Sequence, residues 1–196
     1  MARRSNLKLK AAGGWFYNYF NLLEQFYFFN QGAIMGQEIE RKYLAANDTW
    51  RQAKFTRQAH IWQGYLVENG QWVLRVRLLE ESFPEKKADG RLTLKGNTPD
   101  DPQHLQGHAE FEYAIPPSDA QSLIQSTKLQ IKKVRRWVEY AGQTFEIDEF
   151  ANGQILIELE LQSATQTITP PPWLGREVTG DIRYTNRYLA EHGWPS

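Results

Sequence analysis

The sequence predicts a mainly β (α+β) fold of eight strands with a few short helices. Three observations predict it. Apolar and polar residues alternate with a period of two in segment after segment between Glu38 and Leu161, as strands with one apolar and one polar face do. Turn-forming pairs such as Asn69-Gly70, Gly96-Asn97 and Asn152-Gly153 punctuate those segments. The polar faces also carry charges sorted by sign, acids on some strands and bases on others, where an ordinary solvated face mixes its polar residues.

The first segment, Glu38-Ile39-Glu40-Arg41-Lys42, places Glu38, Glu40 and Lys42 on one face of a strand. Two carboxylates and an ammonium so placed can hold a divalent cation and an anionic ligand together. One such strand alone is usually just the wet side of a sheet. A short helix is expected from about Asp48 to Lys54, then a strand from His60 to Val67. Trp72 to Leu78 sets Arg75 and Arg77 opposite Val76 and Leu78, and Arg91 to Lys95 sets Arg91, Thr93 and Lys95 opposite two leucines. Ala109 to Ile115 carries Glu110 and Glu112 opposite Phe111 and Tyr113. Pro116-Pro117-Ser118-Asp119 reads as a helix start, with Ser118 as N-cap for Ala120 to Ser126. Ile131 to Tyr140 offers Lys133 and Arg135 on one face. Thr144 to Phe150 offers Glu146 and Asp148 opposite Phe145 and Ile147, and Ile155 to Leu161 offers Glu158 and Glu160 opposite Ile157, Leu159 and Leu161. Asn152-Gly153, between the last two strands, signals a tight hairpin. Pro170-Pro171-Pro172 ends the sheet, and a helical segment follows from about Asp181 to His192.

The sorted faces include the cations Lys42, Arg75, Arg77, Lys95, Lys133 and Arg135, and a comparable number of acids. On a flat sheet they would form an ordinary solvated surface. Closed into a barrel they would line a charged lumen, and eight strands are about enough to enclose one small ligand. Such a lumen suits a polyanion escorted by divalent metal, and triphosphate fits that description.

Composition narrows the field further. A chain of 196 residues and 22.9 kDa fits one domain with an adequate core. With 23 basic and 23 acidic groups the formal net charge is zero, which argues against a general nucleic-acid binder. No cysteine is present, so disulfides and thiolate metal sites are excluded. The four histidines make no H-E-x-x-H pattern; His104 and His108 have helical spacing but sit among Pro102 and Gly107 in a loop-like context. There is no P-loop motif. Trp50, Trp62, Trp72 and Trp137 are expected to be packing or rim residues rather than a base-stacking platform.

Residues 1–34 stand outside the strand pattern. Arg3, Arg4, Lys8 and Lys10 precede an aromatic-rich run from Trp15 to Phe29, loosely like a signal peptide. Asn18, Asn21, Glu24 and Gln25 interrupt that run, which is too polar to span a bilayer. An amphipathic helix on a membrane or on the sheet is one reading. The favoured one is an extension upstream of Met35, arising from start-site choice, ahead of a domain at residues 35–196.

Glu38-Ile39-Glu40-Arg41-Lys42, Arg75-x-Arg77, Thr93-x-Lys95, Glu110-x-Glu112, Lys133-x-Arg135, Asp148-Glu149-Phe150 and Glu158-x-Glu160 come in an order that resembles the CYTH superfamily, the triphosphate tunnel metalloenzymes. Leu174-Gly175-Arg176-Glu177-Val178-Thr179, followed by Tyr184 and Asn186, resembles the tail of its small bacterial members, and the likeness runs over about residues 35 to 190. The resemblance implies an eight-stranded antiparallel closed β-barrel, a triphosphate tunnel with helices packed outside. It implies Mg²⁺ or Mn²⁺ as cofactor, with Glu38, Glu40, Asp148, Glu158 and Glu160 as metal ligands. Lys42, Arg75, Arg77, Lys95 and Arg135 would bind phosphate, and Lys133 would bind it too and orient or activate the attacking water, with Glu40 also essential to catalysis. Glu110 and Glu112 would be auxiliary, through a water-mediated metal contact. The expected activity is hydrolysis of inorganic tripolyphosphate to pyrophosphate and phosphate by a cytoplasmic protein with no nucleic-acid or membrane partner. A thiamine triphosphatase, a class IV adenylate cyclase, or a binding module without turnover for polyphosphate or nucleotide are the alternatives on the same scaffold.

Overall fold

The computed structural model describes residues 36–195 apart from 69–71 and 97–107. The extension at 1–34, the Asn69-Gly70 turn, Asn97 and His104 therefore lie outside the described residues. Nine strands form one sheet: β1 (Gly36–Ala45), β2 (Phe55–Glu68), β3 (Trp72–Phe83), β4 (Lys87–Gly96), β5 (His108–Ile115), β6 (Gln130–Tyr140), β7 (Gln143–Phe150), β8 (Ile155–Leu161) and β9 (Leu174–Glu177). Two α-helices, α1 (Pro117–Ser126) and α2 (Asn186–His192), and 3₁₀ turns at Asp48–Gln52 and Ile182–Tyr184 complete the described elements. The protein is thus mainly β with few helices, as the alternation predicts.

The sheet order is β5-β4-β3-β2-β6-β7-β8-β1-β9, every pairing antiparallel. β5 makes a further pairing with β1, through Gly36↔Glu110, Gln37↔Ala109 and Glu38↔His108. Hairpins account for most neighbours. At β6–β7 the two connecting residues, Ala141 (φ 51°) and Gly142 (φ 74°), both have positive φ, the left-handed geometry that matches the twist of two paired strands. At β7–β8, the Asn152-Gly153 hairpin is closed by Gly153 N–H donating to Phe150 O at 2.9 Å.

Two local expectations need correcting. The tail at 174–179 contains a ninth strand, β9, which pairs with β1 at Tyr43↔Glu177 and Ala45↔Leu174. Four residues are too few for a period of two to register. Gly175 permits the approach, since a Cβ there would lie 2.6 Å from Leu44 O. Ser118 is not the N-cap of α1. Pro116 holds that position without a side-chain cap, and the Ser118 hydroxyl donates to Asp119 Oδ1 at 3.2 Å inside the first turn. Pro117, whose fixed φ suits the opening of a helix, sets the earlier start.

The apolar strand faces are buried in three clusters. Tyr43, Val138, Phe145, Ile147, Ile157 and Leu159 pack with Trp50 of the 3₁₀ turn and Trp173. Val76 and Leu78 lie beneath Ala120 and Ile124 of α1, flanked by Trp62 and Leu92. The third cluster joins Ile131, Phe150 and Leu156 to Val178, Tyr184 and Leu189 of the C-terminal segment. It lies on the same sheet face as the charged residues, because Phe150 pairs with Lys133 across β6–β7. One end of the charged face is therefore apolar and covered. The middle of that face is also withdrawn from water: Gln63, Thr93 and Asp148 are wholly buried, and Lys133, Arg135 and Glu158 nearly so.

Candidate active site

The site is built from the charged face, starting at β6, β7 and β8. Arg135 lies opposite Asp148 across β6–β7, and Glu146 lies opposite Glu158 across β7–β8. That register delivers three carboxylates to one guanidinium. Arg135 donates through Nε to Asp148 Oδ1 at 2.7 Å and through Nη2 to Asp148 Oδ2 at 2.6 Å, the two-pronged grip that a planar fork gives a carboxylate. It also donates to Glu146 and Glu158. Burial disfavours its charge, but Asp148, Glu146 and Glu158 outweigh that and hold the guanidinium firmly protonated.

Lys133, two residues earlier on β6, donates to Asp148 and to Asn186 Oδ1 of α2, the latter at 3.1 Å. Its balance falls the other way: burial, with Arg135 nearby, pushes the ammonium below the usual lysine range despite Asp148. A neutral amine is thereby brought closer to neutral pH.

β1 runs beside β8 with Lys42 opposite Glu158 and Glu40 opposite Glu160. Lys42 Nζ lies 2.7 Å from Glu40 Oε1 and 3.0 Å from Glu158 Oε1. Burial opposes its charge, yet Glu158 and Glu40 raise it above the ordinary lysine value. Glu158 is held well below the carboxylate range against burial, chiefly by Lys42, Lys133 and Arg135. Glu160 is exposed. Glu38 lies on β1, and its side chain is outside the described residues.

On β2 to β5 the cations have weaker company. Arg75 Nη2 donates to Thr93 Oγ1 at 3.1 Å and lies 3.6 Å from Glu110 Oε1; Lys95 Nζ lies 3.6 Å from Glu110 Oε2. Thr93 donates to Glu112 Oε2 at 3.2 Å. Arg77, like Arg75, has an Nε shut off from solvent without a hydrogen-bond partner. Repulsion from Arg75, then burial, then Arg135 lower its pKa to about 10. Directly across the ladder stands Gln63, whose Nε2 donates to the Tyr65 hydroxyl at 2.9 Å. Burial pushes the Tyr65 phenol up, while Arg75, Gln63, Arg77 and Lys42 pull it down, so the hydroxyl sits within the field of three cations.

The structure thus brings together Glu40, Lys42, Lys133, Arg135, Asp148 and Glu158 in direct contact, and Arg75, Lys95, Glu110 and Glu112 in a second group beside Arg77. The alternation puts Glu146 on the face of Asp148, and the tail motif contains Asn186, yet neither reading gives them a role in the site. Gln63 and Tyr65 are uncharged and escape any search for sorted charge.

A hard divalent cation requires oxygen donors, and every acidic member of this set supplies them. Among the described residues no three acidic or histidine side chains stand close enough to share one ion, and Asp148 and Glu158 are engaged by cations. Glu40 and Glu160 nevertheless face each other across β1–β8, as Glu146 and Glu158 do across β7–β8. Like charges so placed repel; Arg135 bridges Glu146 and Glu158, and Lys42 stands against Glu40.

A family model described as the CYTH domain matches residues 36–188. The chain belongs to the CYTH domain family. Among CYTH proteins it is similar to an inorganic triphosphatase of Acetivibrio thermocellus, 31% identical over 163 residues that span 81% of this chain and 96% of that one. An inorganic triphosphatase of Nitrosomonas europaea is 33% identical over 162 residues, 78% of this chain and 96% of that one. The crystal structure of an inorganic triphosphatase superimposes with a TM-score of 0.53 at 32% identity, covering 80% of this chain and 95% of the other. Among the described residues, no helix of this CYTH protein is long and apolar enough to cross a membrane.

Proposed function

We propose that the protein is a metal-dependent inorganic triphosphatase, cleaving tripolyphosphate to pyrophosphate and phosphate on the charged face of its sheet. The observation that carries this reading is Arg77. A guanidinium beside Arg75, with a buried Nε that no residue satisfies, is a place where a bound anion would be stabilised. Phosphoryl transfer needs positioning and charge stabilisation more than covalent chemistry, and a cage of arginine and lysine supplies both.

In this reading the sheet, whose β5 also pairs with β1 at three positions, would wrap around the substrate as an eight-stranded tunnel. Lys42, Arg75, Arg77, Lys95, Lys133 and Arg135 hold the phosphates. Glu40 and Glu160, with Glu38, Asp148 and Glu158, would hold Mg²⁺ or Mn²⁺, and Glu110 and Glu112 are auxiliary. When bound, the metal neutralises phosphate charge and polarises the P–O bond to be broken. Lys133 Nζ accepts the proton of the attacking water; the new bond forms from that oxygen to a terminal phosphorus as the bridging P–O bond breaks and pyrophosphate departs. Asp148 and Asn186 hold the amine for that transfer. Residues 35–196 form the working domain in a cytoplasmic protein, with 1–34 as a dispensable extension.

The test is phosphate release from tripolyphosphate, ATP, thiamine triphosphate and pyrophosphate, each with Mg²⁺ or Mn²⁺, by the full chain and by a chain starting at Met35. Metal-dependent release from tripolyphosphate by both chains, abolished in Glu40→Gln, is expected. Preference for thiamine triphosphate, cyclic AMP from ATP, or tight metal-free binding of tripolyphosphate without release would each overturn the assignment.

A further inference from the structure

The inward residues of β6 run Ile131, Lys133, Arg135, Trp137. Ile131 belongs to the covered apolar end, so Trp137 is the next inward position on the opposite side of Arg135, roughly 6.6 Å further along the strand. Its indole N–H donates to Glu146 Oε1 at 2.8 Å, and Glu146 accepts from Arg135 as well. The ring is therefore tied to the group that holds the phosphates. In the triphosphatase reading, an organic group on a triphosphate laid along β6 away from the covered apolar end would pass this ring.

One face of the ring is already taken. The guanidinium carbon of Arg57 lies 4.3 Å from the Trp137 ring centroid. Arg57 is fixed there by Glu81, through Nε to Oε1 at 3.1 Å and Nη2 to Oε2 at 2.8 Å. Trp137 is left only 9% exposed. Aromatic faces next to a phosphate-binding channel are where nucleobases stack, and a guanidinium laid on tryptophan competes for the same π surface.

We propose that Arg57, clamped by Glu81, is a specificity-determining cap that occupies the Trp137 face and so excludes aromatic triphosphates in favour of the bare inorganic chain. The proposal rests on the triphosphatase reading above. It concerns which triphosphate enters, not how the bond breaks.

The test compares kcat/KM for tripolyphosphate and ATP in the full-length protein and in Arg57→Ala, Glu81→Ala and Arg57→Ala/Trp137→Leu, with the affinity of each for ATP measured by calorimetry. Arg57→Ala is expected to raise kcat/KM for ATP on the order of tenfold while changing that for tripolyphosphate by less than about twofold. Glu81→Ala, which frees the cap without deleting it, moves the ratio the same way by less. Trp137→Leu in the double variant returns ATP to the original level. An unchanged or lower value for ATP in both single variants, or an equal rise for both substrates, overturns the cap. If the unmodified protein releases no phosphate from tripolyphosphate, the triphosphatase reading fails. The cap is then judged by affinity, and it stands only if ATP binds tighter in Arg57→Ala while tripolyphosphate does not.

Discussion

Arg135 grips Asp148 through two parallel hydrogen bonds, Nε to Oδ1 at 2.7 Å and Nη2 to Oδ2 at 2.6 Å. Asp148 is wholly buried and also accepts from Lys133, so one carboxylate balances two buried cations. Asp148→Asn keeps the shape and removes the charge. Breaking a buried ion pair on one side costs about 3–5 kcal/mol, and urea unfolding of this variant is expected to lose that much stability along with activity. A loss within the error of the extrapolation would mean that Glu146 and Glu158 suffice to hold Arg135.

Arg77 is expected to behave in the opposite way. Its charge is opposed by Arg75, burial and Arg135, so Arg77→Met relieves repulsion in the resting protein. The thermal midpoint should rise by about 2–4 °C as turnover of tripolyphosphate collapses. Added tripolyphosphate should raise the midpoint of the unmodified protein and leave that of Arg77→Met nearly unmoved. A variant that is both less stable and fully active would remove Arg77 from the site.

For Lys133 the sign follows from its role. Burial lowers its pKa from the ordinary lysine value, and a base works in the neutral form. The rate is therefore expected to climb as pH rises through that lowered pKa, in a range where an ordinary lysine is still charged. Lys133→Met should flatten the climb and reduce kcat by about 10²–10⁴. Near-normal turnover with the same pH profile would assign the proton to another group.

Gly90 tests the fold rather than the chemistry. It lies under α1, where a Cβ would come within 2.6 Å of Ile115 O, 3.0 Å of the Ala120 Cβ and 3.1 Å of Pro116 O. Two of those neighbours are backbone atoms that do not swing aside. Gly90→Ala is expected to cost about 1–3 kcal/mol in denaturant unfolding, with kcat little changed because the charged face lies on the other side of β4.

Much of this was legible from alternation alone. Val76 and Leu78 are buried beneath α1 while Arg75 and Arg77 face the other way, as a period of two requires. Charge sorting likewise put Asp148 and Arg135 on the charged faces of their strands, but did not show that they stand opposite each other. What it could not supply was which strand lies beside which. β2 has β3 on one side and β6 on the other, the second a long-range pairing decided by how whole faces pack. For the same reason the engagement of Glu158 by Lys42, Lys133 and Arg135 was beyond reach, since strand spacing gives direction but not partner. β9 was too short to show its period, and Tyr65 and Gln63 entered the site through hydrogen bonding, which charge counting ignores.

The contact between Lys133 and Asn186 joins the middle of the chain to a helix that follows every strand of the sheet. Losing the chain from Asn186 onward would leave all nine described strands in place and take away one of the two groups that hold the Lys133 amine. Damage at one end of the chain is thereby felt at a lysine in the middle of the sheet.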